Sequence, residues 1–306
     1  MKQSLVIIYG PTASGKSDLA CQLAAMISGE IINADVGQFY TPLSIGTAKP
    51  RWQEHSIPHH LFDILDTPTD LTVTKYRSLV SSLLEPIWQR GNVPIVVGGS
   101  GFYIMSLLFA PSDLIQLPSP EIQKSQDSLW EKLYAVDPER AEQIHKHDKY
   151  RLQRALAVWL SSGVKPSLQK PQYEPLAPYS LFFLERKRDI LYQRINERVV
   201  EMLNQGWIQE VESLDPAWYS FLATKKLIGY NAIITYLQGE RTAQDYDQLC
   251  ATIAQKTRNY AKRQVTFWRM LKKKLEPLAR AYDSVQECDM SDNNSLELMI
   301  QKIRER

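Results

Sequence analysis

Residues 10–17 have the sequence G-P-T-A-S-G-K-S, which matches the phosphate-loop pattern G-x-x-x-x-G-K-[ST]. The loop follows an apolar run at residues 5–8 that is typical of a buried strand, and it precedes a helical pattern at residues 18–24. A strand, a glycine-rich loop and a helix in this order fold around an anion. The motif therefore predicts an α/β fold with a parallel sheet and a site for a phosphate or diphosphate group.

The chemistry of the individual loop residues supports this interpretation. The two glycines let the backbone N–H groups point inward, Lys16 supplies a positive charge, and Ser17 supplies a hydroxyl that can bind Mg2+. The candidate set is Gly10, Pro11, Thr12, Ala13, Ser14, Gly15, Lys16 and Ser17. The loop by itself does not distinguish a nucleotide from another compound that carries a diphosphate.

Two further strand ends carry polar residues. Asp35 ends a short strand predicted at residues 30–35, and Ser100 lies in a glycine-rich turn after a strand predicted at residues 93–97. In an open parallel sheet, ligands bind beyond the carboxyl ends of the strands, so both side chains are expected to face the phosphate loop. Simpler interpretations remain open: the aspartate could cap a helix or a turn, and the glycines could serve only tight packing.

A histidine pair, His59-His60, precedes Asp63 and raises the question of a metal site. Adjacent side chains on an extended segment point to opposite faces, so the two rings are poorly placed to bind one ion. We therefore favour contacts that order the segment near the site.

Composition limits the class of protein. The chain has 306 residues, of which 44% are hydrophobic and 23% charged, as is ordinary for a soluble globular protein. The net charge of +2 is too small to indicate a nucleic-acid partner, so local basic patches have to decide. Cys21, Cys250 and Cys288 have neither metal nor disulfide spacing, which suits a reducing cytosol. No apolar stretch approaches the length of a membrane span.

The composition shifts at residues 111–120, which are rich in proline. Helical patterns follow at residues 121–146 and 148–160, and another strand is predicted at residues 180–184. We interpret residues 112–179 as an inserted, mostly helical subdomain.

Residues 1–111 and 180–283 are expected to form the α/β core together with basic C-terminal helices. One long amphipathic helix is predicted over residues 189–213. Residues 284–306 are polar and are expected to form a C-terminal tail.

A helix predicted over residues 245–274 is rich in cations. Several of them fall within roughly 100° of arc on a helical wheel; they are Arg258, Lys262, Arg269, Lys272 and Lys273. Tyr260, Phe267 and Trp268 lie between them. Basic residues interleaved with aromatic residues fit a nucleic-acid surface, although a solvated cationic face remains an alternative.

Taken together, these segments resemble the tRNA dimethylallyltransferases, the isopentenyl-tRNA transferase family. The resemblance spans residues 10–269 in order and is much more specific than the phosphate loop alone. The matching motifs are Gly10–Ser17, Asp35 with Gln38 and Tyr40, Gly46-Thr47-Ala48-Lys49-Pro50, His59-His60 before Asp63, Gly98-Gly99-Ser100-Gly101-Phe102-Tyr103, Arg151 with Gln153-Arg154-Ala155-Leu156, Gly229-Tyr230, and Arg258 with Tyr260-Ala261-Lys262-Arg263-Gln264 and Thr266.

The resemblance implies a P-loop NTPase-like core and transfer of a dimethylallyl group from dimethylallyl diphosphate to N6 of adenosine 37 in tRNA. The loop would hold diphosphate rather than ATP, with Mg2+ near Ser17. Asp35 matches the general base that takes the N6 proton, and Ser100 stands where the family usually has threonine. The adenine has to flip out of the anticodon loop to reach the diphosphate. We accordingly expect a cytoplasmic monomer that acts on the anticodon stem-loop without a membrane.

The same resemblance assigns binding residues and implies that the inserted subdomain at residues 112–179 contacts tRNA. Lys226 and Arg258 join the phosphate loop in the set that binds diphosphate. The residues that match tRNA-contacting positions are Asp35, Val36, Gly37, Gln38, Ser100, Gln123, Gln153, Arg154, Ala155, Leu156, Ala157, Lys262 and Arg263.

Four positions depart from the family pattern. Val36-Gly37 replaces a serine-containing pair, Gln123 and Lys226 stand where arginine is usual, and Asn231 replaces a frequent arginine or lysine. Because lysine lacks the bidentate geometry of arginine towards phosphate, we expect these differences to affect affinity while activity is retained.

Two other classes of function remain as alternatives. A small-molecule or nucleoside kinase would bind ATP on the same loop, and it predicts an arginine-bearing lid and a pocket for the base. That reading leaves the basic, aromatic helix unexplained. A phosphate-loop regulator would bind RNA without turnover.

Overall fold

The computed structural model describes residues 3–111, 128–169, 171–278, 285–292 and 294–305. Within these residues, six strands form one sheet: β1 (Leu5–Tyr9), β2 (Gly29–Asn33), β3 (His59–His60), β4 (Val93–Gly98), β5 (Tyr179–Glu185) and β6 (Val285–Asp289). Their order across the sheet is β3-β2-β4-β1-β5-β6, and every neighbouring pair is parallel. The predicted α/β class with a parallel sheet is confirmed.

Helices account for most of the remaining described chain. In sequence order they are α1 (Lys16–Ile27), α2 (Val73–Gln89), α3 (Gly101–Leu108), α4 (Leu129–Val136), α5 (Pro138–Glu142), α6 (Lys149–Ser162), α7 (Arg188–Asn204), α8 (Trp207–Glu212), α9 (Pro216–Lys225), α10 (Tyr230–Leu237), α11 (Ala243–Leu275) and α12 (Ser295–Arg304). None of the helices in the described parts of the chain is long and apolar enough to span a bilayer.

The central strands are apolar along their whole length because both faces of the sheet are covered. All five residues of β1 are buried, as are the six residues of β4. Continuous apolar runs of this kind are typical of parallel strands between two layers of helices. This arrangement places the carboxyl ends of β1, β2 and β4 at one edge, where the phosphate loop, Asp35 and Ser100 follow.

The C-terminal segment differs from the expected polar tail at residues 284–306. β6 pairs with β5 in parallel, from Leu181 opposite Val285 to Glu185 opposite Asp289. α12 buries Met299, Ile300 and Ile303 in the hydrophobic core that also contains α1. The segment is polar because β6 is an edge strand and α12 exposes one face, so apolar residues occupy only the remaining positions.

The helix predicted over residues 189–213 is interrupted. α7 ends at Asn204 and α8 begins at Trp207, with Gly206 between them in a left-handed conformation (φ 102°). A residue with a side chain rarely adopts this conformation, so a glycine after a helix marks its end.

Contacts divide the chain into two compact units. One unit comprises Met1–Met105 and Leu176–Arg306, and the other comprises Ser106–Pro175. The smaller unit contains α4, α5 and α6 around a small core of Leu133, Ala141, Ile144, Leu152, Ala155 and Leu156. Of the helical stretch predicted at residues 121–146, the first seven residues lie outside the described part of the chain.

Candidate active site

The phosphate loop has the geometry of an anion site. Gly15, with φ 100°, lies at the N-cap of α1 and offers no side-chain cap. The N–H groups in the first turn of a helix have no partner within the helix, so they remain available to a ligand. Lys16 is buried and donates from Nζ to the carbonyl oxygen of Pro11 at 2.7 Å. The Ser14 hydroxyl is also buried and has no hydrogen-bond partner among the described residues.

Two arginine side chains donate hydrogen bonds to carbonyl oxygens of this loop. Arg194 on α7 donates from Nε to the carbonyl oxygen of Ala13 at 2.9 Å. Arg186, just after β5, donates from Nη2 to the carbonyl oxygen of Ser14 at 3.3 Å. Because the guanidinium groups pair with the loop carbonyls, they fix the loop and add positive charge beside it.

Asp35 follows β2 and is held in a turn. Asn33 accepts from the N–H of Asp35 at 2.8 Å through Oδ1, and it donates from Nδ2 to the carbonyl oxygen of Leu61 at 3.0 Å. The backbone N–H of Gly99 favours the charged form of the Asp35 carboxyl and acts to lower its pKa. These contacts leave the half-buried carboxylate facing the phosphate loop, as the position of the strand end predicted.

The glycine turn after β4 lies against the Asp35 segment. A Cβ at Gly98 would collide with the backbone of Ala34, so only glycine allows this approach. The N–H of Ser100 donates to the carbonyl oxygen of Ala34 at 3.3 Å, and the Ser100 hydroxyl accepts from the N–H of Val36 at 3.1 Å. Ser100 therefore orders the residues around Asp35 and lies close to them.

One pocket brings these elements together. Its polar lining includes Thr12, Lys16, Ser17, Asp35, Gln38 and Arg198, and its apolar lining includes Ala20, Ile31, Phe62 and Val97. Two cationic side chains and one carboxylate thus line the same partly apolar pocket. Such a pocket suits an anion that carries a short hydrocarbon group.

Burial shifts the ionisation of the three charged groups in this pocket. Burial raises the pKa of Asp35, whereas Lys16, the N–H of Gly99 and Arg198 oppose the rise. Burial lowers the pKa of Lys16 to about 8 although Asp35 acts against it. It also lowers the pKa of Arg198, again opposed mainly by Asp35. Shifted groups that face one another in a pocket are typical of active sites.

A carboxylate outside the pocket anchors the loop at residues 44–49. Glu210 on α8 accepts from the N–H groups of Ser44 (2.9 Å), Ile45 and Gly46 (3.2 Å), and from the hydroxyl of Tyr230 (2.8 Å). The anchored loop in turn binds the side chain of Gln38, whose amide donates to the carbonyl oxygens of residues 47 and 48 at 3.2 and 3.3 Å. Gln38 is therefore positioned through Glu210.

Comparison with known proteins identifies the family. The model of the IPP transferase family matches residues 38–271, and the model of the isopentenyl transferase family matches residues 3–61. The chain belongs to the IPP transferase family. The prediction from sequence motifs is confirmed, and the alternative of an ATP-dependent kinase is not favoured.

Relatives of this IPP transferase are similar over most of their length. A tRNA dimethylallyltransferase of Geobacter sulfurreducens is 40% identical over 282 residues, covering 88% of this chain and 89% of the relative. A tRNA dimethylallyltransferase of Protochlamydia amoebophila is 37% identical over 301 residues, covering 92% of this chain and 84% of the relative.

Solved structures agree with this assignment. A eukaryotic dimethylallyltransferase acting on tRNA superposes with a TM-score of 0.81 at 28% identity, over 99% of this chain and 80% of that chain. A tRNA isopentenylpyrophosphate transferase from Staphylococcus epidermidis superposes with a TM-score of 0.66 at 30% identity, over 99% of both chains. The P-loop NTPase-like core expected from sequence is thereby confirmed.

Two residues assigned to diphosphate binding do not line the pocket. Lys226 is exposed at the end of α9, in a left-handed conformation with φ 55°. Arg258 on α11 donates to Asn196 and Gln255, each at 2.6 Å. Besides Lys16 of the phosphate loop, Arg198 of α7 lines the pocket.

The residues matched to tRNA contacts differ in exposure. Lys262 and Arg263 are exposed on α11, and Arg263 lies over the Tyr260 ring at 5.7 Å. In the smaller unit, Arg154 is exposed and Gln153 is half-buried, whereas Ala155, Leu156 and Ala157 are buried. Ala155 and Leu156 belong to the core of that unit, so any contact they make with RNA would have to use their backbone atoms, and their assignment stays a prediction. Gly37 is also buried, and Gln123 lies outside the described residues.

Among the described residues, no three His, Cys, Asp or Glu side chains are grouped to bind a metal ion. The histidine pair has other partners, because His59 Nδ1 lies 2.7 Å from the carbonyl oxygen of Ile57 and His60 Nε2 lies 2.6 Å from Glu30. The exposed Ser17 hydroxyl at the pocket is compatible with Mg2+, which keeps waters and substrate phosphates as most of its ligands.

Proposed function

We propose that this enzyme transfers a dimethylallyl group from dimethylallyl diphosphate to N6 of adenosine 37 in tRNA. As a member of its family, the chain is a prenyl-transferring enzyme. The observation that carries the proposal is the shared pocket of Lys16, Arg198 and Asp35 beside an apolar wall. The cations suit a diphosphate, the wall suits a short allyl group, and the carboxylate suits a base.

The carboxylate has a defined part in the proposed reaction. The N6 nitrogen attacks the allylic carbon, the new C–N bond forms as the C–O bond breaks, and diphosphate leaves with the electron pair. Asp35 takes the proton that N6 loses. An aromatic amine is a weak nucleophile, so a base within hydrogen-bond reach is needed. Burial raises the pKa of Asp35 and thereby makes it a stronger base than an exposed aspartate.

The leaving group is stabilised by fixed positive charge. Lys16 and Arg198 line the pocket, and α1 begins beside it at Lys16, so we assign the diphosphate to these groups and to the N–H groups of the first turn. Donors that are already oriented stabilise developing charge without further reorganisation. Ser17 would supply the protein ligand for Mg2+, which would neutralise further negative charge on the diphosphate.

We assign RNA contacts to residues on two surfaces. Gln38 and Ser100 are placed beside Asp35, and Lys262 and Arg263 are exposed on α11. A target base has to leave its stack before N6 can enter the pocket, so we infer that the adenine is flipped out of the anticodon loop. We expect a monomer to be active, and the free cysteines suit the cytoplasm.

The test is a transfer assay with the purified protein. We expect label to move from dimethylallyl diphosphate to an anticodon stem-loop that contains A36 and A37, in the presence of Mg2+ and without ATP. A stem-loop with guanosine at position 37 is the matched control, because it lacks the N6 amine.

Transfer that depended on ATP as the donor would overturn the prenyl-transfer proposal. Binding of the stem-loop without any transfer would instead favour the RNA-binding regulator.

A further inference from the structure

Gln264 on α11 connects two parts of the site that are distant in sequence. Its side chain is buried, and Oε1 accepts from the N–H of Thr12 at 2.8 Å. Its Nε2 donates to the carbonyl oxygen of Gly99 at 2.8 Å. The Tyr9 hydroxyl donates to the backbone oxygen of Gln264 at 3.0 Å, which fixes this turn of the helix against β1.

The two backbone groups that the Gln264 amide joins belong to segments with different roles in the proposed reaction. Thr12 lies in the phosphate loop, which would hold the leaving group. Gly99 precedes Ser100, which bonds the carbonyl oxygen of Ala34 and the N–H of Val36 on either side of Asp35. The Gln264 amide therefore fixes the distance between the phosphate loop, which would bind the diphosphate, and Asp35, the proposed base.

Only a side chain with one donor and one acceptor at this spacing can make both contacts. Glutamate in its ionised form accepts but cannot donate, and methionine has no donor and only a weak acceptor. The fit is close, because a Cβ at Gly99 would collide with Nε2 of Gln264. Tyr260, one turn earlier on α11, reinforces the contact by donating to the same Gly99 oxygen at 3.3 Å.

We propose that Gln264 is a positioning residue that holds the phosphate loop at a fixed distance from the turns that carry Asp35 and Ser100. The inference rests on the proposed function and adds a residue that acts through others. Alignment of the reacting groups controls the rate more than it controls the binding of either substrate. Lys262 and Arg263 of the proposed RNA surface directly precede Gln264 on α11.

The first variant removes both hydrogen bonds and keeps the volume. For Gln264→Met we expect kcat to fall at least about tenfold, with the KM for dimethylallyl diphosphate and the Kd for the stem-loop changing less than about threefold. The matched control is Gln248→Met on the same helix, where the side chain is exposed and bonds only Thr252. A folded Gln264→Met enzyme with unchanged kcat would overturn the proposal.

A second variant separates positioning from a purely structural role. In Gln264→Glu the protonated carboxyl can donate to Gly99 and accept from Thr12, whereas the carboxylate cannot donate. The ratio of the kcat of this variant to that of the wild type should therefore rise as the pH falls. A ratio independent of pH contradicts the proposed role.

Amide hydrogen exchange tests the contact without turnover. Exchange at the Thr12 N–H should be faster in Gln264→Met than in the wild type, and unchanged exchange counts against the inference. If the wild type transferred no label but this difference in exchange remained, the proposed function would fail while the positioning contact stood.

Discussion

Replacing Glu210 by alanine should destabilise the protein far more than a surface substitution does. The Glu210 carboxylate accepts hydrogen bonds from three backbone N–H groups and from the Tyr230 hydroxyl, and three of these four bonds are partly buried. A buried donor that loses its partner costs about 1–3 kcal/mol. We therefore expect Glu210→Ala to lower the free energy of unfolding by about 3–5 kcal/mol.

The control for this prediction lies on the same helix. Glu212 forms only an exposed ion pair with Arg241, at 3.4 Å, with side chains that are 53% and 48% exposed. Exposed pairs of this kind contribute about 0.2–1 kcal/mol. Glu212→Ala should accordingly lower the free energy of unfolding by less than about 1 kcal/mol.

Urea denaturation followed by tryptophan fluorescence measures both variants. Trp207 is buried against Gly46, so it reports directly on the loop that Glu210 anchors. Glu210→Gln keeps the shape of the side chain and one acceptor oxygen. Its free energy of unfolding should therefore lie between those of the wild type and Glu210→Ala. If Glu210→Ala cost no more than Glu212→Ala, the anchoring argument would be refuted.

The same variant links stability to RNA binding. Since the anchored loop positions the Gln38 amide, Glu210→Ala should weaken binding of the anticodon stem-loop about tenfold, which corresponds to about 1.4 kcal/mol. Fluorescence anisotropy measures this binding at a temperature where the variant is folded. Unchanged affinity would show that Gln38 does not act through the loop.

The remaining predictions concern the charged groups of the pocket. Asp35→Asn should lower turnover at least about 100-fold, in line with the loss of a positioned base, while stem-loop binding measured by anisotropy persists; normal turnover would remove Asp35 from the mechanism. Lys16 has a pKa lowered to about 8, so it is cationic below that pH and neutral above it. The KM for dimethylallyl diphosphate should therefore rise as the pH increases through about 8, and a flat profile up to pH 10 would argue against an electrostatic role for Lys16.

Local sequence patterns predicted the part of the site that lies at the carboxyl ends of the strands. The phosphate loop, Asp35 and Ser100 each follow directly from a strand end, and strand ends of a parallel sheet meet by construction. The helix at residues 16–27 and the long helix at residues 243–275 were visible from periodicity and composition for the same local reason.

The side chains supplied by packing were not predicted. Arg198 lines the pocket because Leu191 and Ile195 of α7 pack against Ala13 and Ala261, which turns the arginine side of the helix towards the loop. The spacing of Arg194 and Arg198 at i and i+4 was a signal that the two share a face, but the sequence does not say what that face contacts. Glu210 had no local signal, since its backbone partners lie about 165 residues earlier in the chain.

The sixth strand was missed for a related reason. β6 has the sequence V-Q-E-C-D, in which only Cys288 is fully buried. An edge strand of this kind has no continuous apolar run, and its pairing with β5 becomes evident only in the folded sheet.

The packing of α12 against α1 has a consequence for folding kinetics. Met299, Ile300 and Ile303 of α12 share a core with Leu19 and Leu23 of α1, although most of the chain separates them in sequence. Contacts between such distant residues form slowly, because a long loop has to close first. The helix that follows the phosphate loop therefore gains its full packing late, and affinity for diphosphate should develop in the last phase of refolding. A fluorescent diphosphate analogue added during refolding would consequently report completion of the native core.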